Sequence, residues 1–472
     1  MNDRTAPRAE AYDLAVVGAG SAGFAAAIAA AEAGARVLLA GHGTIGGTCV
    51  NIGCVPSKTL IRAAEALHGT RAAARFAGIA ARARLEDWPA LVQQKADLVA
   101  GLRQAKYADL LPRYPNITYV TAQARLAADG IVLDGAAVRA RRVVITTGAR
   151  PALPAIPGIE SVPVLTSTEA LSLDRLPASL LVVGAGFIGC ELAQMLARFG
   201  VAVTLVCRSR VLPGAEPEIG GALAGYLGDE GVTVHEGLAY ERLETTADGV
   251  RLSAAKGGAP LILEAEAVLA ASGRQPNTEA LALEDAGVTV DRRGAVVVDA
   301  HMRTSREGVY AAGDVTGRDQ FVYMAAYGAK IAALNALEGD RLRYDATAMP
   351  AIVFTDPQVA QAGLTEAEAR AEGHPVTTSM LALDQVPRAL AARDTRGLVK
   401  LVAGAEGRLL GAHILAPEGA DSIQTAVLAI RHGMTVEDLA ATVFPYLTTV
   451  EALKLAALTF GKDVTKLSCC AA

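Results

Sequence analysis

The chain has 472 residues, of which 52% are hydrophobic and 20% are charged, and this balance excludes a disordered protein. Its 44 Lys and Arg residues against 49 Asp and Glu residues give a net charge of −5, so no nucleic-acid partner is predicted. Six cysteines are too few for a secreted disulfide scaffold, and about 150 residues per domain predicts roughly three domains.

The first predicted element is an apolar strand at Leu14–Val17. It leads into a G-x-G-x-x-G turn at 18–23, an Ala-rich helix and a second strand at Val37–Ala40. The uncharged stretch 14–31 is not predicted to span a membrane, because Ala, Gly and Ser dominate it. We therefore expect no membrane or targeting segment and a cytoplasmic location.

The same pattern recurs 166 residues later, with strands at Leu180–Val183 and Val203–Val206 around a second G-x-G-x-x-G turn. Each copy is a βαβ unit whose glycines allow a tight turn, close approach of a pyrophosphate, and close packing of helix on strand. The helix N-terminus then faces the pyrophosphate charge. The predicted cofactor-binding glycines are Gly18, Gly20 and Gly23 in the first copy and Gly184, Gly186 and Gly189 in the second. Two units in register disfavour glycines that serve packing alone and indicate a flavin in one domain and a nicotinamide in the other.

The residue after the second strand of each copy indicates which ribose is bound, since an acidic side chain there binds a 2′-hydroxyl. In the second copy Arg208 and Arg210 follow the strand without a carboxylate, which favours a 2′-phosphate and hence NADPH. A solvated basic loop is the alternative. In the first copy Gly41 takes the place of the acidic residue. We expect Gly41→Glu to tighten flavin binding, unless the backbone there requires a positive φ.

Further apolar strands run into turns that are expected to face a nucleotide. Their predicted contact residues are Thr147, Gly148 and Gly273. From about Tyr344 the glycine turns end, and strands mix with helical stretches at 422–432 and 449–460, which indicates an α+β domain. The predicted domains are a first nucleotide-binding domain at 1–150 that is continued by about 277–343, a second at 151–276, and a third at 344–472.

The most specific segment is 46–58, in which Cys49 and Cys54 stand five residues apart. Two thiols at this spacing can meet at the start of a helix, whose N-terminus lowers a thiol pKa and gives a reactive thiolate. Two buried structural cysteines are the alternative, which the Gly-Gly-Thr lead-in disfavours. A zinc half-site is disfavoured because no second ligand pair is visible. We interpret Cys190 and Cys207 as structural thiols.

With these motifs the chain resembles the pyridine nucleotide-disulfide oxidoreductases, the family of glutathione reductase and dihydrolipoyl dehydrogenase, from about Asp13 to its end. The resemblance implies an α/β fold of two Rossmann-like dinucleotide-binding domains and a C-terminal α+β dimerisation domain. It implies FAD, NAD(P)H and a homodimer with shared active sites. The residue roles that it implies are Cys54 facing the flavin, Cys49 exchanging thiols, Gly47 and Thr48 beside the cofactor, Lys58 and Glu191 as an ion pair next to the flavin, and Asp314 on the flavin chain.

The C-terminal region indicates the substrate. Disulfide reductases of this family carry His-Pro-Thr-x-x-Glu near their end, whereas this chain has Tyr446 in place of that histidine and no histidine after His432. A phenol with a pKa of about 10 is a poor base at neutral pH. A disulfide substrate is therefore not expected.

The tail carries two adjacent thiols, Cys469 and Cys470, and thiolates select soft metals. With its Gly-Thr-Cys-x₄-Cys segment, a Phe-Pro-Tyr-Leu-Thr stretch at 444–448 and this Cys-Cys tail, the chain is similar to the mercuric reductases within the family. The resemblance implies that the tail of the partner subunit takes Hg(II) from its thiolate complexes and passes it to Cys49 and Cys54, all four thiols being metal ligands. A prenylation box and a thioredoxin-reductase-like redox relay are the alternatives for the tail.

Two further features depart from the mercuric reductase pattern. We expect no N-terminal heavy-metal-binding domain before the first copy. Val164 and Leu165 stand where a tyrosine often precedes Thr-Ser-Thr-Glu-Ala. The alternative functions are a dihydrolipoyl dehydrogenase or other disulfide reductase, and a metal-binding flavoprotein without turnover.

Overall fold

The computed structural model describes residues 11–463. Contacts group these residues into two compact units. The first comprises 11–57, Ala90–Ala152 and Arg274–Asp345, and the second comprises Lys58–Pro89, Leu153–Gly273 and 346–463. No helix within 11–463 is long and apolar enough to cross a membrane.

Residues 11–152 begin with the first predicted βαβ unit. The elements are β1 (Tyr12–Val17), α1 (Ser21–Glu32), β2 (Val37–Gly41), α2 (Gly47–Ile52), α3 (Cys54–Ala72), α4 (Trp88–Lys106), β3 (Ile117–Thr121), β4 (Ala124–Ala127), β5 (Gly130–Leu133), β6 (Ala136–Ile145) and β7 (Ala149–Pro151). The strands β3, β2, β1 and β6 lie side by side and parallel, while β4 and β5 extend the sheet antiparallel from β6.

Residues 153–273 contain the second predicted βαβ unit. The elements are β8 (Val164–Leu165), α5 (Ser167–Ala170), β9 (Ser179–Val183), α6 (Phe187–Arg198), β10 (Ala202–Val206), α7 (Pro217–Asp229), β11 (Thr233–His235), β12 (Leu238–Thr246), β13 (Gly249–Lys256), β14 (Ala259–Ala265) and β15 (Ala267–Ala270). A parallel sheet has the order β11-β10-β9-β15-β8, and β12-β13-β14 form a separate antiparallel sheet.

Residues 274–345 return to the first unit. The elements are β16 (Arg274–Pro276), β17 (Val309–Ala311) and α8 (Val322–Glu338). β17 joins the parallel sheet beside β6, and α8 packs against α1. The contact between the two helices uses small side chains, among them the fully buried Ala26, Ala30, Ala329 and Ala333, and small side chains allow close approach.

Residues 346–463 form the α+β region. The elements are β18 (Ala351–Val353), β19 (Gln358–Gly363), α9 (Glu366–Ala371), β20 (Thr377–Ala382), α10 (Pro387–Ala392), β21 (Leu398–Ala403), β22 (Leu409–Ala416), α11 (Gly419–Arg431), α12 (Val436–Ala441) and α13 (Glu451–Leu458). The antiparallel sheet β18-β19-β22-β21-β20 carries α11 and α13 on its buried surface. The predicted fold class is confirmed.

Candidate active site

The glycine turn of the first copy is fixed by the backbone around it. Gly18 has φ +117°, and a Cβ built on it would lie 2.3 Å from the carbonyl oxygen of Thr146. A Cβ on Gly23 would lie 1.7 Å from the Gly18 oxygen. Gly20 is different, because the nearest atom to its Cβ position is Gly47 Cα at 3.6 Å. The first and third glycines are therefore required by the protein itself.

The second copy repeats this geometry. Gly184 has φ +114° and a Cβ position 2.4 Å from the Ala271 oxygen, while a Cβ on Gly189 would lie 1.8 Å from the Gly184 oxygen. A Cβ on Gly186 would meet no atom within 4 Å. The space in front of the α6 N-terminus is thus open, as a bound pyrophosphate requires. Both turns fit a dinucleotide.

The carboxyl ends of β6 and β17 bring further predicted contacts to the first turn. Asp314 follows β17 and is mostly buried, and burial raises the pKa of its carboxyl group, while the guanidinium of Arg274 counteracts this. Arg274 Nε lies 3.4 Å from Asp314 Oδ2. After β6, the Thr147 hydroxyl donates to the Asn277 carbonyl oxygen at 2.7 Å, and Asn277 N–H donates to the Gly148 oxygen at 3.0 Å. Sequence analysis did not assign a role to Arg274.

The two thiols of the most specific segment follow the first turn directly. Gly46 and Gly47 have φ +94° and +65°, and a Cβ on Gly47 would lie 2.6 Å from Gly20 Cα. These glycines let α2 start against the nucleotide turn. Cys49 lies within α2, Cys54 is the first residue of α3, and both side chains are half-buried. The amide end of α3 favours negative charge at its first residue.

A hydrogen-bonded amide holds α2, the short helix that contains Cys49. The Asn51 amide nitrogen donates to the carbonyl oxygens of Ile45 at 3.0 Å and Gly47 at 2.8 Å. Its oxygen accepts from Arg103 of α4 at 3.1 Å. Since Asn51 stands between Cys49 and Cys54 in sequence, α4 takes part in fixing the position of the pair.

Two phenols that sequence analysis did not find accompany the thiols. The Tyr107 hydroxyl lies 3.1 Å from Ser21 Oγ, at the first residue of α1. Burial raises the pKa of Tyr107, and charge on the two cysteines adds to this. Burial and, to a lesser degree, charge on Cys54 likewise raise the pKa of Tyr323, which stacks on Phe321. Both phenols stay protonated at neutral pH.

The second unit contains the predicted ion pair. Lys58 Nζ lies 2.7 Å from Glu191 Oε2, and Glu191 is only 5% exposed. The other carboxylate oxygen accepts from the Phe354 backbone N–H at 2.9 Å, and the ammonium lies 5.0 Å from the Phe354 ring centroid. A buried carboxylate with both oxygens satisfied keeps the lysine in a defined position.

The two arginines after β10 are not equivalent. Arg208 is exposed, whereas Arg210 donates to the carbonyl oxygens of Leu212 at 3.2 Å, Pro213 at 2.8 Å and Ala215 at 2.6 Å. The guanidinium of Arg210 therefore organises the following loop. Of the two predicted phosphate ligands, Arg208 alone has a solvent-directed position.

Gly41 is glycine for a steric reason. Its φ is not positive, so the backbone strain that we considered is absent. A Cβ there would lie 2.5 Å from the Cβ of Ala19, which cannot move aside as a long side chain would. We therefore expect that Gly41→Glu does not tighten flavin binding, because its side chain would collide with Ala19.

Tyr446 and Gly273 are two further predicted residues that the structure describes. Tyr446 is 47% exposed in the segment before α13, where Leu447 N–H donates to Glu451 Oε2 at 3.1 Å. Gly273 has φ +126°, and its Cβ position is open. Cys469 and Cys470 lie outside the described residues.

Cys190 and Cys207 are both buried. Burial raises the pKa of Cys207 to about 11 and raises that of Cys190 further, so both stay protonated thiols. This agrees with a structural role.

One partly buried charge cluster in the second unit joins groups that are far apart in sequence. His68, Glu230 and Asp356 have potential ligand atoms within 4.8 Å of one another. The guanidinium of Arg198 binds Glu230 Oε2 at 2.6 Å and Asp356 Oδ2 at 2.8 Å, and Arg396 binds Asp356 Oδ1 at 3.1 Å. Because both carboxylates are already neutralised, the cluster is an ion-pair network.

Known families account for this arrangement. Residues 12–331 match the family described as pyridine nucleotide-disulphide oxidoreductase, and residues 349–457 match its dimerisation domain. The chain belongs to this family. Membership implies FAD and NAD(P)H as cofactors, and the dimerisation domain indicates a homodimer.

Several curated relatives are named mercuric reductase. The protein from Streptomyces lividans is 46% identical over 469 residues, covering 98% of each chain. Those from Shigella flexneri and Lysinibacillus sphaericus are 47% and 44% identical, over 100% and 98% of this chain and 84% of each relative. Among solved structures, the HOCl-induced flavoprotein disulfide reductase RclA from Escherichia coli is 32% identical with a TM-score of 0.83, over 96% of this chain and 100% of that one.

Proposed function

We propose that the protein is an FAD- and NADPH-dependent mercury(II) reductase. The main support is the half-buried pair Cys49 and Cys54, which directly follows the first nucleotide turn. The chain is also 44–47% identical to proteins named mercuric reductase. The paired thiolates provide the two soft ligands that Hg(II) prefers. A cytoplasmic location belongs to the proposal, because reactive thiols need a reducing compartment.

The proposal assigns FAD to residues 1–150 and 277–343, NADPH to 151–276 and dimerisation to 344–472. Contact between Gly20 and Gly47 supports the first assignment, since it couples the nucleotide turn to the thiol segment. Exposed Arg208 at the end of β10 supports the second. When bound, the two cofactors supply the two electrons that convert Hg(II) to Hg(0).

The residues of the chain hold and transfer the metal. The tail thiols Cys469 and Cys470 of the partner subunit take Hg(II) from an incoming dithiolate, each new Hg–S bond replacing one to the departing thiol. The same exchange passes the metal to Cys49 and Cys54. We assign Cys54 the position facing the flavin, because it starts α3, and Cys49 the exchange of ligands.

Lys58 and Glu191 complete the proposed site. The carboxylate is buried and bonded at both oxygens, so it fixes the ammonium group of Lys58 one helical turn after Cys54. Beside a bound flavin, this fixed positive charge would favour negative charge on the cofactor. Tyr446 of the partner subunit is assigned to the metal pocket in place of a proton-transferring histidine.

Reduction of disulfides is the second candidate, because RclA, at 32% identity, is described as a flavoprotein disulfide reductase. Tyr446 argues against disulfide reduction, since a phenol is a poor general base at neutral pH. We expect oxidised lipoamide and oxidised glutathione to be reduced far more slowly than Hg(II) is.

Cysteine variants test the proposed roles. Hg(II)-dependent NADPH oxidation should disappear in Cys49→Ser and in Cys54→Ser and should slow when Cys469 and Cys470 are both replaced by Ala. Cys207→Ser is the matched control and should keep the activity. An active Cys49→Ser enzyme would remove the pair from the mechanism.

A spectrum separates the two thiols of the pair. After anaerobic reduction with NADPH, the long-wavelength charge-transfer band between thiolate and flavin should survive in Cys49→Ser and vanish in Cys54→Ser. The reverse pattern would exchange their roles.

A further inference from the structure

The end of β2 carries no polar side chain that could bind the ribose of FAD. Rossmann-like domains place an acidic residue there to bind the ribose of the nucleotide. This chain has Gly41, and Ala19 of the nucleotide turn blocks a longer side chain at 2.5 Å. Another residue must therefore supply any polar contact to the ribose.

Tyr119 of the adjacent strand reaches the vacated position. β3 runs parallel to β2, with Tyr119 paired to Leu39 and Thr121 paired to Gly41. A Cβ built on Gly41 would lie 3.4 Å from the Tyr119 hydroxyl oxygen and 3.5 Å from its Cε2. The phenolic oxygen thus lies in van der Waals contact with the position where a side chain of residue 41 would begin, at the carboxyl edge of the sheet.

The hydroxyl has the bonding capacity that a ribose contact needs. Thr121 Oγ1 lies 3.4 Å from the Tyr119 oxygen and donates to it. The phenolic O–H itself has no acceptor among residues 11–463. A phenol can donate one hydrogen bond and accept another, and a ribose hydroxyl can do both.

We propose that Tyr119 replaces the missing acidic residue and binds a ribose hydroxyl in the adenosine half of FAD. The inference rests on the proposed assignment of FAD to the first copy. In this arrangement β2 offers no polar side chain at Gly41, and Tyr119 of β3 supplies the polar group beside it. The contact is neutral, whereas an acidic residue would provide a charge-assisted one.

Release of FAD from the holoenzyme tests this contact. After dilution, recovery of flavin fluorescence should be faster for Tyr119→Phe by about threefold to tenfold, the loss expected for one neutral hydrogen bond. Tyr114→Phe is the matched control, because its hydroxyl donates to surface Glu32 at 3.2 Å. Its release rate should equal that of the unaltered protein.

An altered cofactor identifies the partner of the hydroxyl. With an FAD analogue that lacks both hydroxyls of the adenosine ribose, the unaltered protein should release flavin faster, and Tyr119→Phe should add nothing further. Equal acceleration by Tyr119→Phe with FAD and with the analogue would overturn the inference, as would no acceleration with FAD.

The failure of the proposed function has a different signature. A purified protein that takes up no FAD contradicts the cofactor assignment itself. If the unaltered protein holds FAD and reduces Hg(II), but the Tyr119→Phe variant releases FAD at the same rate, the ribose contact alone is contradicted. Thermal unfolding of Tyr119→Phe with FAD bound should match that of Tyr114→Phe to within the small difference in FAD affinity.

Discussion

The two βαβ copies are nearly identical at the glycines that contact the protein's own backbone. They differ at the positions that we assign to nucleotide binding. The first glycines have φ +117° and +114°. A Cβ built on the third glycine would lie 1.7 Å from the oxygen of the first glycine in the first copy and 1.8 Å in the second. Peptide geometry dictates these values, so both copies share them. The middle glycines differ, since Gly20 contacts Gly47 whereas Gly186 is open.

The second strands also end differently. Gly41 is enclosed by Ala19 and Tyr119, whereas β10 ends in Cys207 followed by exposed Arg208. The repeated motif therefore specifies a dinucleotide, while residues outside the motif specify which one.

The largest expected effect concerns the shared part of the motif. Gly23→Ala and Gly189→Ala each place a methyl group under 2 Å from a backbone oxygen. Helix and strand must separate, at a cost of about 3 kcal/mol or more. Urea unfolding should show this loss for both variants. Gly221→Ala in α7, where a Cβ meets nothing within 4 Å, is the control, and a stable Gly189→Ala protein would refute the account.

Gly41→Glu tests the first point of difference. The Cβ conflict with Ala19 at 2.5 Å should cost about 1–3 kcal/mol of stability and speed FAD release. Fluorescence on dilution and thermal unfolding measure the two effects. Tighter FAD with unchanged stability would mean that the strand end yields easily to a side chain.

The arginines after β10 test the second point. Arg208→Gln should lower the preference for NADPH over NADH by about an order of magnitude, because a charge-assisted phosphate contact contributes about 1.5–3 kcal/mol. Arg210→Gln should weaken both nucleotides alike, since its guanidinium holds carbonyls of the 212–215 loop. The ratio of kcat/KM for NADPH to kcat/KM for NADH measures the preference of each variant. A larger change of this ratio in Arg210→Gln than in Arg208→Gln would exchange the two roles.

The smallest effect is expected at the middle glycines. Gly186→Ala should fold normally and raise the KM for NADPH several-fold, because its methyl group enters open space that the pyrophosphate needs. Gly20→Ala should instead affect FAD retention. If Gly186→Ala left NADPH kinetics untouched, the second turn would not face the cofactor.

Local spacing was enough to predict the glycine turns and the thiol pair, whereas the pairing of Lys58 with Glu191 was predicted from the family resemblance. Local spacing was not enough where the direction of a side chain, or a partner far away in the sequence, decides the role of a residue. Sequence showed the charge of Arg210 but not that three carbonyls bind it. Tyr107 and Tyr323 approach the thiols only through the fold, and the steric reason for Gly41 lies in Ala19.

The mercury vapour released per NADPH oxidised measures reduction of Hg(II) by this protein directly. Purified protein with FAD, NADPH and a Hg(II) dithiolate should release one atom of elemental mercury per NADPH, since both processes involve two electrons. Oxidised lipoamide and oxidised glutathione should support little oxidation in parallel assays. NADPH oxidation without mercury vapour, or faster turnover with either disulfide, would contradict the account.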